Sequence, residues 1–258
     1  MSVLVPPGPP PPPILLPPPP SRKRHRKRRR RVTRRPRDVG TLCMIAVLVA
    51  VYAVQVVIEL TAGRAALYQV FREWGLVPAA LARGERFHTL LTYGFLHANP
   101  LHLIVNSVSL YFLGREVEEK IGTAAFIACY LAFIVLGGVA YALINPDPTA
   151  ALIGASAAVF GFLGIIALLE PFSLTYVVVI PVPTILIAVG YTVFCLFFIH
   201  TPLWWGGIAH SAHLGGLLGG MLLAIPIEPK KALEGLAIYL VLLGLVLYAI
   251  WLTLRLLL

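Results

Sequence analysis

Seven predominantly apolar runs follow one another between residues 40 and 258. Each is near the ~20 residues that an α-helix needs to cross ~30 Å of hydrocarbon. No other feature constrains the fold as strongly. In lipid, backbone N–H and C=O groups must find partners inside the protein, which leaves helices or closed barrels, and runs of this length are helical. The spacing predicts spans at 40–61, 99–119, 123–144, 153–169, 174–198, 205–225 and 233–258. The fourth is short and glycine-marked, and Pro181 and Pro183 interrupt the fifth. Residues 62–98 mix aromatics with Arg64, Arg72, Arg83 and Arg86, which suits a partly embedded interfacial segment. At 59% hydrophobic and 12% charged, the composition excludes an ordinary soluble domain, which is nearer half apolar and a quarter charged.

The net charge of +10 suggests nucleic acid until it is located. Residues 1–38 hold 12 of the 21 Lys and Arg and one acid, Asp38, so this tail is +11 and the rest of the chain −1. Residues 6–20 contain 11 of the 22 prolines, extended polyproline at best and unable to pack a core. The tail is not a secretory signal peptide, because proline precedes the charge and no small-residue cleavage site follows a short apolar run. Its basic block reads as a cytoplasmic anchor for the first span that attracts anionic lipid. Nucleic acid fits less well, since no aromatic is interleaved to stack on bases. With the tail inside, the polar links at 115–120 and at Lys230 and Lys231 also fall inside. The four arginines of 62–98 count against this orientation, and the tail outweighs them. Cys43, Cys129 and Cys195 stand singly in apolar runs, without disulfide or metal spacing.

Polar side chains inside spans are costly and mark function by default. Here they are few: His102 and Asn106 in span two, Ser156 in span four, His210 and His213 in span six, with His97 just before span two. In the orientation above, spans two, four and six all enter from the outer face. Ser156 then lies about 5 Å in and His213 about 12 Å in, at 1.5 Å per residue. His102 and Asn106 share a helix face. His213, Gly216 and Gly220 form one stripe. Gly215/Gly219 and Gly216/Gly220 are overlapping G-x-x-x-G pairs that allow close backbone approach, and GASAAVFGFLG in span four is equally small-faced. Close packing of these two spans brings Ser156 toward His213. A serine needs a base within reach, and histidine is the usual one. The developing oxyanion needs donors; His102, the Asn106 amide and the Ser156 N–H lie in the same membrane half. Gly154 lets the chain bend or a substrate come close. No acid lies in the outer half of these spans, so a Ser–His dyad is expected; Asp147, in an outer link, is the residue that would make a triad. Taken singly, Ser156 could bond back to its own helix, and His102 with Asn106 could be a structural interhelical pair. A transporter would call for inverted repeats and a buried carboxylate, and neither is evident. His210 reads as facing water or the interface.

This constellation resembles the rhomboid family of intramembrane serine proteases. The match rests on FLHANPLHLIVNSVSLYFLGREVE at 95–118, GASAAVFGFLG at 154–164, AHLGGLLGG at 212–220 and GERFHTLLTYGFLH at 84–97, and it covers about 40–225. The resemblance implies an all-α membrane protein with a six-helix core, plus one extra C-terminal transmembrane helix. It divides the chain into a disordered tail (1–38), a catalytic core (39–227) and the extra helix (228–258). It also implies Ser156 as nucleophile and His213 as general base and acid. His102, Asn106 and the Ser156 amide would form the oxyanion hole, Phe160 would pack on the histidine, and Gly216 and Gly220 would be the close-contact stripe, Gly216 facing span four. The implied reaction is hydrolysis of single-pass transmembrane substrates in the cell membrane, with no metal or organic cofactor. The alternative is an inactive rhomboid-like protein that binds membrane segments, which would normally lack the serine or the histidine. Two positions depart from the family pattern. Ala157 stands where many members have glycine, and His88 and Thr89 stand where a Trp-Arg pair is common.

Overall fold

A computed structural model describes residues 38–145, 149–177, 180–198 and 209–257. Each of the seven apolar segments contains a helix. Helix α1 (Val39–Trp74) is followed by the short α2 (Pro78–Ala82) and α3 (Thr89–Thr92). Next comes a helical rod made of α4 (Pro100–Ser109), a π-helical stretch at Leu110–Gly114, and α5 (Arg115–Ile121). The remaining helices are α6 (Thr123–Ile144), α7 (Ser156–Leu169), α8 (Thr184–Phe198), α9 (His210–Ile227) and α10 (Pro229–Leu257). Among the described residues, α1, α6, α9 and α10 are long and apolar enough to cross a bilayer. The chain is therefore an integral multi-pass membrane protein with a helical fold. Large apolar side chains on the outer faces of α1 and α10, such as Val54, Leu60, Leu240 and Val241, are exposed; in lipid that is no liability.

Two segments depart from the expected helices. The fifth span begins as a hairpin, β1 (Leu174–Val177) antiparallel to β2 (Ile180–Pro183), with Thr175 opposite Val182. Pro181 and Pro183 lack the N–H a helix needs, and the stretch is β-branched, which favours strands. Helix starts only at Thr184, whose hydroxyl donates to the Ser173 carbonyl at 2.9 Å. The first span ends about where expected, at a break on Gly63 (φ 84°, ψ 171°), and a second helical stretch then runs to Trp74, so the interfacial segment is itself largely helical. A positive φ of that size is cheap only for glycine.

Helix α7 is the axis of the bundle. From Ala157 to Leu169 every residue but Phe160 is buried, as befits a helix that is apolar all round. Its 14 residues make only about 21 Å, so its two ends sit differently. The C-terminal end meets a charged cluster, where Lys120 pairs with Glu170. That hydrogen bond holds the Glu170 carboxyl below the usual carboxylate range. Nearby, the buried Glu118 carboxylate accepts from the Gly40 and Thr41 backbone N–H groups at 2.8 Å each. It also accepts from the hydroxyls of Thr41 at 2.8 Å and Thr123 at 2.6 Å. A carboxylate at the α1 N-terminus satisfies donors the helix leaves open and complements its dipole. Glu118→Ala is expected to cost roughly 2–4 kcal/mol by stranding these donors, and Glu118→Gln less. Thermal unfolding in detergent measures both, and an unchanged midpoint for the alanine variant contradicts the capping role.

Candidate active site

The N-terminal end of α7 holds Ser156 as its first helical residue. Among the described residues no side chain caps this end, so the positive end of the dipole faces an anion placed there. The approaching strand is pinned beneath the surface. Leu76 and Leu152 exchange backbone hydrogen bonds of 3.1 and 2.8 Å, and the Gly154 N–H donates to the Tyr93 carbonyl at 2.9 Å. Non-helical backbone at membrane depth is tolerated where protein surrounds it or a water-filled cavity borders it. Gly154 has φ +123°, and a Cβ there would fall 2.7 Å from His102 Cε1. Glycine at this position thus makes room for the His102 ring beside Ser156.

Helix α9 brings His213. His213 Nε2 lies 2.6 Å from Ser156 Oγ. The approach depends on missing side chains: a Cβ on Gly216 would stand 2.1 Å from the Ala157 carbonyl oxygen, and one on Gly220 1.9 Å from that of Gly161. The overlapping pair Gly215 and Gly219 serves a different neighbour, resting on Leu136 of α6. The two G-x-x-x-G pairs therefore seat α9 against two helices at once. Ala157 lies inside helix α7 rather than in a loop, and its methyl occupies the notch left by Gly137. Phe160 stacks on His213 at 4.5 Å between centroids and 14° between planes.

The remaining donors come from α4. Asn99 caps this helix, its Oδ1 accepting from the His102 N–H at 2.8 Å, with Pro100 suited to the first helical position. His102 Nδ1 accepts from the Ala98 N–H at 3.3 Å. This assigns the His102 proton to Nε2, on the side of Gly154 and Ser156. Asn106 Nδ2 donates one hydrogen to the His102 carbonyl at 2.9 Å. His102, Asn106, Ser156, Phe160 and His213 all line one cavity of about 680 Å³. A serine hydroxyl, an imidazole and three candidate oxyanion donors thus border one cavity whose wall is otherwise mostly apolar. Among the described residues no group of three His, Cys, Asp or Glu is placed to hold a metal. Asp147 lies outside the described residues.

Two histidine neighbours differ from the sequence reading. His210 is buried rather than facing water or the interface. Its ring packs edge-on against Phe194 at 5.1 Å, because α9 begins at His210 against α8. Sequence reasoning missed Tyr191 of α8 altogether. Its hydroxyl lies 2.7 Å from His213 Nδ1 and 3.1 Å from His210 Nδ1. Its signal was a hydroxyl inside an apolar span, hidden because tyrosine counts as aromatic. At His88 and Thr89 the segment between α1 and α4 has its own supports. His88 sits edge-on to Trp74 at 5.5 Å, and Thr89 Oγ1 donates to the Arg86 carbonyl at 2.7 Å.

Residues 84–230 match the family model of the Rhomboid domain. The chain is 32% identical over 154 residues to Rhomboid protease GluP of Bacillus subtilis, covering 59% of this chain and 28% of that protein. It is 37% identical over 70 residues to Rhomboid-like protease 3 of Toxoplasma gondii, covering 27% of this chain and 26% of the relative. It is 30% identical over 151 residues to RHOMBOID-like protein 12, mitochondrial, of Arabidopsis thaliana, covering 52% and 44%. The chain thus spans less than half the length of each of these three relatives.

Proposed function

Since the chain belongs to the rhomboid family, we propose that it is an intramembrane serine endopeptidase working with a Ser156–His213 dyad. The observation that carries this reading is the 2.6 Å contact between Ser156 Oγ and His213 Nε2 on the wall of a cavity within the bundle. A substrate segment unwinds into the cavity and presents its carbonyl. His213 takes the Ser156 proton as Oγ attacks, and then gives it to the leaving amine. The Ser156 N–H, His102 Nε2–H and the second Asn106 amide hydrogen stabilise the oxyanion. Water reaching the cavity hydrolyses the acyl-enzyme, with His213 again the base.

The substrates of this reading are single-pass transmembrane proteins. The tail at 1–38 is cytoplasmic and meets anionic lipid, so the serine faces the outer half of the cell membrane. The core spans 39–227, and 228–258 adds a helix. Labelling with a serine-directed fluorophosphonate tests the reading: the wild type is modified and Ser156→Ala is not. Equal labelling of both removes Ser156 as nucleophile. An unlabelled wild type that still captures membrane segments favours the inactive binding protein. Asn106→Ala is expected to lower kcat about 10²-fold, the size of one lost oxyanion donor, and an unchanged kcat removes Asn106 from the hole. Deleting residues 22–37 should leave the catalytic rate intact; its loss would give the tail a part in catalysis.

A further inference from the structure

Resting on the Ser156–His213 reading, we propose that Tyr191 is the positioning residue of the dyad, in the place where a triad would put an acid. Its hydroxyl bridges His213 Nδ1 at 2.7 Å and His210 Nδ1 at 3.1 Å. If Ser156 donates to His213 Nε2, the neutral ring carries its proton on Nδ1. Nδ1–H then donates to Tyr191 Oη. The tyrosine proton is left to donate to His210 Nδ1. Each donor from Ser156 through His213 and Tyr191 to His210 then meets one acceptor in one direction, and the His210 proton falls on Nε2, a buried atom without a partner among the described residues. Reversing this direction would place a proton on His213 Nε2 and close it to serine.

The tyrosine has one task on each side of proton transfer. Before transfer, its oxygen holds His213 in the tautomer that can accept from serine. After transfer, the same oxygen accepts from Nδ1–H of the imidazolium, the charged form in which a hydrogen bond is stronger. No proton moves to tyrosine. The ring is held for this by an aromatic neighbour. It packs on Phe160 at 4.2 Å between centroids, and Phe160 in turn stacks on His213. Next to it on α8, Thr192 donates its hydroxyl to the Ala188 carbonyl at 2.9 Å and lies 2.7 Å from the Tyr239 hydroxyl of α10. The C-terminal helix is thereby tied to the helix that carries Tyr191, and α8 completes the dyad from outside the α7–α9 pair.

The test compares the full-length wild type, Tyr191→Phe and Ser156→Ala in detergent on a model transmembrane substrate. Phenylalanine keeps the ring and removes only the hydroxyl. Tyr191→Phe should lower kcat about 10- to 100-fold, the loss of one hydrogen bond to a charged group, with KM unchanged. The rate of fluorophosphonate labelling should fall in parallel. Rates are normalised to the sites that excess probe eventually titrates, so a variant that folds poorly still reports on its folded fraction. Wild-type kcat in Tyr191→Phe, with Ser156→Ala inactive, overturns the tyrosine's role and leaves the dyad standing. A drop confined to KM or to the thermal midpoint also overturns it, because it marks packing alone. Cleavage by Ser156→Ala fells both readings together.

Discussion

Ser156→Ala should leave the protein folded and lower cleavage of a transmembrane substrate by roughly 10⁴-fold or more. The hydroxyl has one described partner, His213 Nε2, so alanine removes about 1 kcal/mol of hydrogen bonding and opens no large void. Catalysis loses far more, because no other group is in line to form the acyl-enzyme. What remains is the background supplied by oxyanion donors and substrate binding. His213→Ala should fall to a similar floor. The double variant should be no worse than either single one, since nucleophile and base act as a unit. The measurements are kcat/KM on a purified substrate and the thermal midpoint of each variant. Retained cleavage in Ser156→Ala refutes the nucleophile. A double variant far below both singles refutes the dyad.

Gly220→Val should lower activity about 10²-fold or more without touching the cavity. At Gly220 a Cβ would stand 1.9 Å from the Gly161 carbonyl oxygen, a backbone atom that no rotamer change can move aside. Helices α7 and α9 must therefore part, and in a core this tight such overpacking costs about 1–3 kcal/mol or more. Separation of ~1 Å at the serine and histidine is enough to cost about 10²-fold in rate. Gly244→Ala on α10 is the control. A Cβ at Gly244 meets nothing within 4 Å, and alanine favours a helix by up to ~1 kcal/mol. The expected pattern is a lowered melting midpoint and slowed cleavage for Gly220→Val, and a neutral to stabilised Gly244→Ala. A Gly220→Val enzyme with wild-type kcat would mean that the close approach of α7 and α9 does not set the dyad.

The apolar runs were legible because about 20 consecutive apolar residues have one stable fate in lipid. The small-residue stripes were legible too, because G-x-x-x-G spacing places glycines on one helix face. It did not say that Gly216 and Gly220 meet α7 while Gly215 and Gly219 meet α6; that needs three helices in place. From sequence the start of span five reads as helix, since apolar content hides the β-branched, proline-marked strands at 174–177 and 180–183. His210 was assigned outward because nothing local to α9 shows that Tyr191 and Phe194 of α8 cover it. Tyr191 itself went unnoticed, as its partner histidines lie 19 and 22 residues away on another helix.

Alone, the sequence determined which segments enter lipid and which polar groups they carry into it. Both follow from local chemistry: transfer of apolar residues into hydrocarbon, and the rarity of side chains that resist it. Only the tertiary structure decided which hydroxyl faces which imidazole. Ser156 and His213 are 57 residues apart, and their contact depends on how closely two backbones approach. Absent Cβ atoms set that distance, and a third helix supplies the hydroxyl that orients the ring between them.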